Sequence, residues 1–227
     1  YNTFITLTYD DDNLPHDGSL VKSHFQKFIK RLRAKHEHKI RYYMCGEYGE
    51  QLRRPHYHAI LFNHQFPDTQ QLPGQTFATS KNLENSWGHG FCSIGSVTYD
   101  SCAYVSRYIT KKITGDQAYS HYVNENGVML QPEYTSMSLK PAIGWQWYQT
   151  YKRDCYPSDF LTYKGKKGRV PKYYDKLLEL DCPNLLSHLK KQRAAKASLH
   201  HQDQTPLRLA QRQKCAIARL SPRNLEG

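Results

Sequence analysis

The chain has 227 residues, six cysteines and a net charge of +12, of which +10 falls on Lys164–Gly227 and only +2 on Tyr1–Tyr163. Such a length holds one sizeable core with extensions rather than two full domains. The scattered cysteines (Cys45, Cys92, Cys102, Cys155, Cys182, Cys215) form no CxxC pair, which argues against a disulfide scaffold or a zinc ribbon and suits a reducing cytosol. There is no apolar run of membrane-spanning length and no signal-like segment. The basic end of a tyrosine-rich chain therefore points to a polyanionic partner, nucleic acid before membrane.

In chain order, "FITLTYD" alternates Phe4, Thr6 and Thr8 with Ile5, Leu7 and Tyr9, the pattern of a strand. The chain opens directly on this strand, so a short native N-terminus is expected before it. The polar "DDDNLPHDG" reads as a loop. "SLVKSHFQKFIKRLRAKH" places Leu20, Val21, His24, Phe25, Phe28, Ile29 and Leu32 on one side, an amphipathic helix with Ser19 available as N-cap. "KIRYYMCGEYG" and "PHYHAILF" read as strands, joined through the short "EQLRR" as an antiparallel hairpin. Residues 63–80 look like a loop, "KNLENSWG" a short helix and "GFCSIGSVT" a fourth strand. From Tyr99 or Asp100, "DSCAYVSRYITKKI" predicts a helix ending at Gly115.

Beyond residue 115 the periodicity weakens. "GWQWYQTYKRDC" and "PKYYDKLLEL" predict helices separated by a hairpin-like "FLTYKGKKGRV". The stretch 187–220 is expected to be a basic helix or partly disordered. No GxxxxGK[ST] motif signals an attached ATPase or helicase. The fold class expected is α+β, a central antiparallel β-sheet flanked by helices, with a mainly helical basic C-terminal extension. The expected organisation is a core over 1–115, an extension packed on it over 116–180, and a basic helical or partly disordered tail over 181–227.

Two patterns carry chemistry. In an extended chain His56 and His58 point to one face with Ile60 and Phe62, while Tyr57, Ala59 and Leu61 point to the other. Two imidazoles so placed can share one ion. If the hairpin pairs, Glu47 stands beside His56 and completes a set suited to Mg²⁺, Mn²⁺ or Zn²⁺ with open positions for a substrate oxygen. The alternative for Glu47 is an ordinary surface carboxylate beside Arg53 or Arg54. The second pattern is helical. Tyr104, Tyr108 and Lys111 fall within a stripe about 60° wide, whereas Cys102, Val105, Ile109 and Ile113 form the core face. Tyrosines that merely pad the edge of a core would look similar.

A metal ion and a phenol meet in one reaction class. A tyrosine hydroxyl, with a pKa near 10, is a poor nucleophile at neutral pH without help. A divalent ion can polarise a phosphodiester for in-line attack, and a lysine beside the phenol can stabilise developing charge. Two such tyrosines suit breaking and rejoining a nucleic-acid strand.

These residues resemble those of the HUH endonucleases, which carry two histidines around a bulky hydrophobic residue, here "HYH" at 56–58. The metal motif precedes the tyrosine motif, as in rolling-circle replication initiators; relaxases usually carry their tyrosines near the N-terminus. "FITLTYDDDNLP" occupies the place of the first motif and "YVSRYITK" matches the third, two-tyrosine motif. "GEYGEQLRRPHYHAILF", "GFCSIGSVTYDSCAYVSRYITKK", "PEYTSMSLKPAIG" and "VPKYYDKLL" are similar to successive blocks of gokushovirus replication initiators, and the likeness covers most of residues 1–180.

The resemblance implies a ferredoxin- or RRM-like core, and a divalent metal ion (Mg²⁺ or Mn²⁺) on His56, His58 and, by a looser match, Glu47. It implies nucleophilic roles for Tyr104 and Tyr108, with Lys111 as the motif lysine and Lys112 its less fitting neighbour. The implied activity is site-specific nicking and rejoining of single-stranded DNA at a replication origin in the cytoplasm of a host cell. A host helicase and DNA polymerase would be needed, but no nucleotide cofactor and no membrane. Arg53, Arg54, Arg107, Lys112, Lys164, Lys166, Lys167 and Arg169 are candidate phosphate contacts, and exposed tyrosines could stack on bases. The competing readings are a single-tyrosine transposase of the same superfamily and a non-catalytic nucleic-acid-binding protein.

Overall fold

The computed structural model of the protein describes residues 1–49 and 51–220, the side chains of residues 108–111 and 220 excepted. The N-terminal elements follow the residue patterns closely: strand β1 (Asn2–Thr8), helix α1 (Lys22–Ala34), and the hairpin strands β2 (Arg41–Tyr48) and β3 (Pro55–Phe62). Two-residue strands β4 (Gln70–Gln71) and β5 (Ala78–Thr79) interrupt the stretch expected to be loop. Helix α2 (Lys81–Trp87), strand β6 (Cys92–Gly95) and helix α3 (Tyr99–Lys111) come next, then helix α4 (Gln117–Tyr122) and strand β7 (Tyr134–Met137).

Seven strands form one antiparallel sheet in the order β4-β5-β6-β1-β3-β2-β7. Its middle four, β6-β1-β3-β2, have the connectivity and order of a split βαβ unit, the ferredoxin-like core that the resemblance implies. The alternation decides which face each residue serves. Ile5, Leu7, Met44, Tyr57, Ala59 and Leu61 pack against Phe25, Phe28, Ile29 and Leu32 of α1 and Trp87 of α2, forming the main core. On the opposite face Cys45 and Ile60 pack with Val105 of α3, flanked by Phe4, Tyr43, Phe62, Cys102 and Tyr104. The sheet is thus covered on both sides, and α3 lies on the side to which the two histidines point.

Three local expectations are corrected. Ser19 does not cap α1, whose N-cap is Val21 with no side-chain cap bond; the Ser19 hydroxyl instead accepts the Gln131 backbone N–H at 2.9 Å. Helix α3 ends at Lys111, before Gly115, because Lys112 already has a non-helical ψ of 117°. Its start is fixed by a capping box between Thr98 and Ser101. Strand β7 was not anticipated, and it hydrogen-bonds to the outer edge of β2.

The link from α2 to β6 crosses the end of β1 at close range. Thr8 and Asp10 donate their N–H groups to the carbonyls of Phe91 and His89 at 2.8 and 3.0 Å. Between them, Gly90 sits at φ +134°, where a Cβ would lie 2.1 Å from the Asp10 nitrogen, so no other residue fits.

The chain divides into two compact units, Tyr1–Ile143 and a second from Gly144 onward; the sequence reading draws boundaries at 115 and 180. The second unit contains helix α5 (Trp145–Cys155), the hairpin β8 (Leu161–Tyr163) and β9 (Lys166–Gly168), and helices α6 (Lys172–Asp181), α7 (Pro183–Ser198) and α8 (Pro206–Leu220), with a 3₁₀ turn at His201–Gln204. Its core gathers Tyr148, Cys155, Tyr156, Val170, Tyr174, Leu178, Leu186 and Leu189. Arg193 of α7 bonds to both Asp159 and Asp175, at 2.5–2.9 Å. The basic stretch is mostly helical over its described residues, with a break at 199–205 between α7 and α8. Among the described residues no helix is long and apolar enough to cross a membrane.

Candidate metal and nucleophile site

The hairpin register sets the site. Cys45 faces His58 and Glu47 faces His56 across β2–β3, so the carboxylate arrives on the face that carries both imidazoles. Glu47 Oε1 lies 2.8 Å from His56 Nε2 and 2.9 Å from His58 Nε2. Glu47 and His58 are buried, at 5% and 7% exposure, and His56 is half-buried. Burial by itself would raise the Glu47 carboxyl, but the hydrogen bonds from His56 and His58 and their charge outweigh it and hold the group below the usual carboxylate range.

Both rings are held from behind. His56 Nδ1 lies 3.0 Å from the Arg54 carbonyl, which only accepts, so Nδ1 carries a proton and Nε2 is the nitrogen that faces Glu47. His58 Nδ1 lies 2.9 Å from the hydroxyl of Thr6, its partner across β1–β3, and Phe4 stacks on the His58 ring at 5.8 Å with planes 10° apart. A lone pair and a carboxylate oxygen 2.8 Å apart need a cation between them, a proton or a metal. The donor set of two nitrogens and one oxygen, its ligand atoms all within 4.8 Å of one another, fits a divalent ion. Thr6 escaped the sequence reading; the signal was its place in the β1 alternation, on the same face as Phe4.

Helix α3 brings Tyr104 to this cluster. Its ring meets His58 edge-on, with centroids 5.4 Å apart, and Phe4 at 6.5 Å. Tyr104 is therefore half-buried against the site and packs beside Val105 rather than on a separate solvent stripe. Tyr108 and Lys111 belong to the same helix, but their side chains lie outside the described residues, as does that of Ile109.

The candidate phosphate contacts divide. Arg54 is engaged inside the fold: Nε donates to the Tyr9 carbonyl at 3.1 Å and the guanidinium pairs with Asp11 at 2.6 Å. Arg53, at φ +48° in the hairpin turn, donates to the His121 carbonyl and lies over the Tyr48 ring. Arg107 and Lys112 are exposed on and just after α3. Lys164, Lys166, Lys167 and Arg169 are exposed on the β8–β9 hairpin of the second unit, whose Lys164–Gly165 turn has positive φ at both positions.

Comparison with known proteins bears on this arrangement. Residues 2–113, which contain all three potential ligands and the tyrosine helix, match the family of replication-associated proteins of the ORF2 type. The chain is also 34% identical over 188 residues to replication-associated protein VP4 of Bdellovibrio phage phiMH2K, covering 76% of this chain and 56% of the relative. It is 34% identical over 211 residues to replication-associated protein ORF2 of Spiroplasma virus 4, covering 85% and 63%. With replication-associated protein ORF4 of Chlamydia phage 1 the identity is 28% over 193 residues, covering 78% and 46%. The chain thus spans about half to three-fifths of the length of these relatives. No solved structure matches it. The family match and the relatives both support the resemblance to gokushovirus-like replication proteins.

Proposed function

We propose that the protein initiates rolling-circle replication of a phage genome by nicking one DNA strand at an origin and keeping the cut end as a phosphotyrosine. The observation that supports this best is the convergence of Glu47, His56 and His58 on one point with the Tyr104 ring against His58. The replication-associated names of the relatives support the setting. The fit is that of an HUH nuclease.

In this reading Glu47 Oε1 and the Nε2 atoms of His56 and His58 would hold Mn²⁺ or Mg²⁺, with the imidazole pair favouring Mn²⁺. When bound, the ion supplies Lewis-acid polarisation of the scissile phosphate. Thr6 and the Arg54 carbonyl fix the orientation of the two rings, so that both Nε2 atoms face the site. The phenol oxygen of Tyr104 or Tyr108 forms a bond to phosphorus, and the bond from phosphorus to the 3′-oxygen breaks. The phenol proton leaves to solvent and the 3′-oxygen takes one up, which leaves a free 3′-hydroxyl to prime a host polymerase. Lys111 steadies the negative charge that builds up during the exchange. The second tyrosine then cuts the regenerated origin, and the 3′-hydroxyl freed by that cut bonds to the phosphorus of the first phosphotyrosine while the bond from phosphorus to the phenol oxygen breaks; the phenol takes up a proton and the circle is closed.

The test is a labelled single-stranded origin oligonucleotide incubated with the protein and Mn²⁺, followed by SDS electrophoresis. An SDS-stable adduct that disappears in the Tyr104→Phe, Tyr108→Phe double variant is expected. Tight binding without any adduct would instead indicate a non-catalytic binding module.

A further inference from the structure

A second cluster of imidazoles lies beyond the other end of β3, and nothing in the nicking reaction uses it. His36, His38 and His64 each offer a ring nitrogen, and these atoms lie within 4.8 Å of one another. From His58 to His64 the chain advances six residues, roughly 20 Å at the rise of a strand, so the two clusters do not share an ion.

His64 is held in place before any ligand arrives. Its N–H donates to the Tyr1 carbonyl at 3.0 Å, its carbonyl accepts the Thr3 hydroxyl at 2.7 Å, and the residue is only 2% exposed, its ring against Phe66. Nδ1 lies 3.2 Å from His38 Nε2, while Nε2 is buried with no hydrogen-bond partner. The His36 ring closes the group, 4.6 Å from His64 and 5.3 Å from His38 between centroids. Two nitrogens bound to one tetrahedral ion at about 2.05 Å stand about 3.3 Å apart, close to the 3.2 Å seen here.

We propose that His36, His38 and His64 form a second metal site, for a transition-metal ion of the zinc class. Three imidazoles with no carboxylate among them suit zinc, nickel or copper and not magnesium or calcium. The neighbouring cations do not occupy the position: Arg33 donates twice to the Ile40 carbonyl and Lys39 reaches the Lys140 carbonyl. His36 and His38 also line an open cleft of about 470 Å³, which gives the ion an entry path and room for a water or anion as fourth ligand. Bound there, the ion ties the α1–β2 link to the chain that leaves β3.

The test is zinc stoichiometry by equilibrium dialysis with metal analysis on the full chain. His64 is buried, so the exposed His38 is the residue to change. His38→Ala is expected to bind one zinc ion fewer per chain than the unmodified protein, whether or not the Glu47 cluster also takes zinc. His36→Ala is expected to weaken that ion tenfold or more, while His16→Ala, at a histidine elsewhere in the fold, leaves the stoichiometry unchanged. Unchanged binding in both His38→Ala and His36→Ala overturns the proposal, and so does an equal loss in His16→Ala.

Discussion

The ring of Tyr104 stands edge-on to the imidazole of His58, centroids 5.4 Å apart and planes at 84°. A candidate nucleophile and a candidate metal ligand therefore pack on each other directly. Tyr104→Phe keeps that ring contact and removes only the hydroxyl, so Mn²⁺ affinity is expected to stay within about twofold while any adduct on Tyr104 is lost. Tyr104→Ala removes the contact as well and is expected to cost roughly 1–3 kcal/mol of stability. Mass spectrometry of the adduct peptide together with urea unfolding checks both. Full adduct yield in both variants would assign the first cut to Tyr108.

Thr6 holds His58 from behind, and a hydroxyl in that position orients the ring it bonds. Thr6→Val preserves shape and is expected to weaken Mn²⁺ binding by about 10- to 100-fold without unfolding the protein. Glu47→Ala removes the one carboxylate of the cluster and is expected to weaken it further. If Mn²⁺ titration followed by electron paramagnetic resonance gives the same affinity for both variants as for the unmodified chain, the ligand set is wrong.

Arg54 belongs to the fold more than to a phosphate clamp. Its bond to the Tyr9 carbonyl is half-buried, whereas its ion pair ends on Asp11, which is 92% exposed and contributes little. Arg54→Ala is expected to lower stability by about 1–3 kcal/mol, and Asp11→Ala by less than about 0.5 kcal/mol. Denaturant midpoints measure both, and equal losses would contradict the assignment.

The β8–β9 hairpin displays Lys164, Lys166, Lys167 and Arg169 to solvent. Each of these that neutralises a phosphate contributes about 0.7 to the slope of log affinity against log salt on single strands. Replacing all four with alanine is expected to flatten that slope by between about 1 and 3 and to weaken binding evenly across sequences. Fluorescence anisotropy at several salt concentrations reads the slope, and an unchanged value would remove the hairpin from the DNA path.

His24 and His89 stack at 4.4 Å, and both imidazoles are held below their ordinary value. Burial is the first cause for each, followed by His89, Lys27 and Arg31 for His24, and by Arg31 for His89. The unfolded chain then takes up protons first as pH falls below about 6.5. Stability should be level above about pH 7 and decline below about 6.5, by up to about 1.4 kcal/mol per pH unit for each histidine. Urea unfolding in EDTA at about pH 7.5 and about pH 5.5 tests this, on either side of the ordinary imidazole value. His24→Gln with His89→Gln should reduce the decline.

The legible parts of this molecule are those whose signal is local. His56, His58 and Glu47 could be placed together because period-two alternation and a short turn leave a hairpin one sensible register. The Tyr104 helix was legible from its spacing, although its half-burial depended on α3 lying over the histidine face. The rest depends on partners distant in sequence. Ser19 has the chemistry of an N-cap, yet its hydroxyl goes to Gln131, 112 residues away. Strand β7 has only four half-buried residues and gains its identity from pairing with β2. Thr6 meets His58 across 52 residues, and His64 meets His38 only after the chain has crossed the sheet.

The three potential ligands of the Glu47 cluster span residues 47–58 of one hairpin. Hairpins close within about 1–10 μs, whereas α3 must cross roughly forty intervening residues before Tyr104 reaches His58. The cluster is thus a property of a short local segment, and the tyrosine beside it is a later arrival from elsewhere in the chain. A nascent chain can bring Glu47, His56 and His58 together before Tyr104 has any means of reaching them.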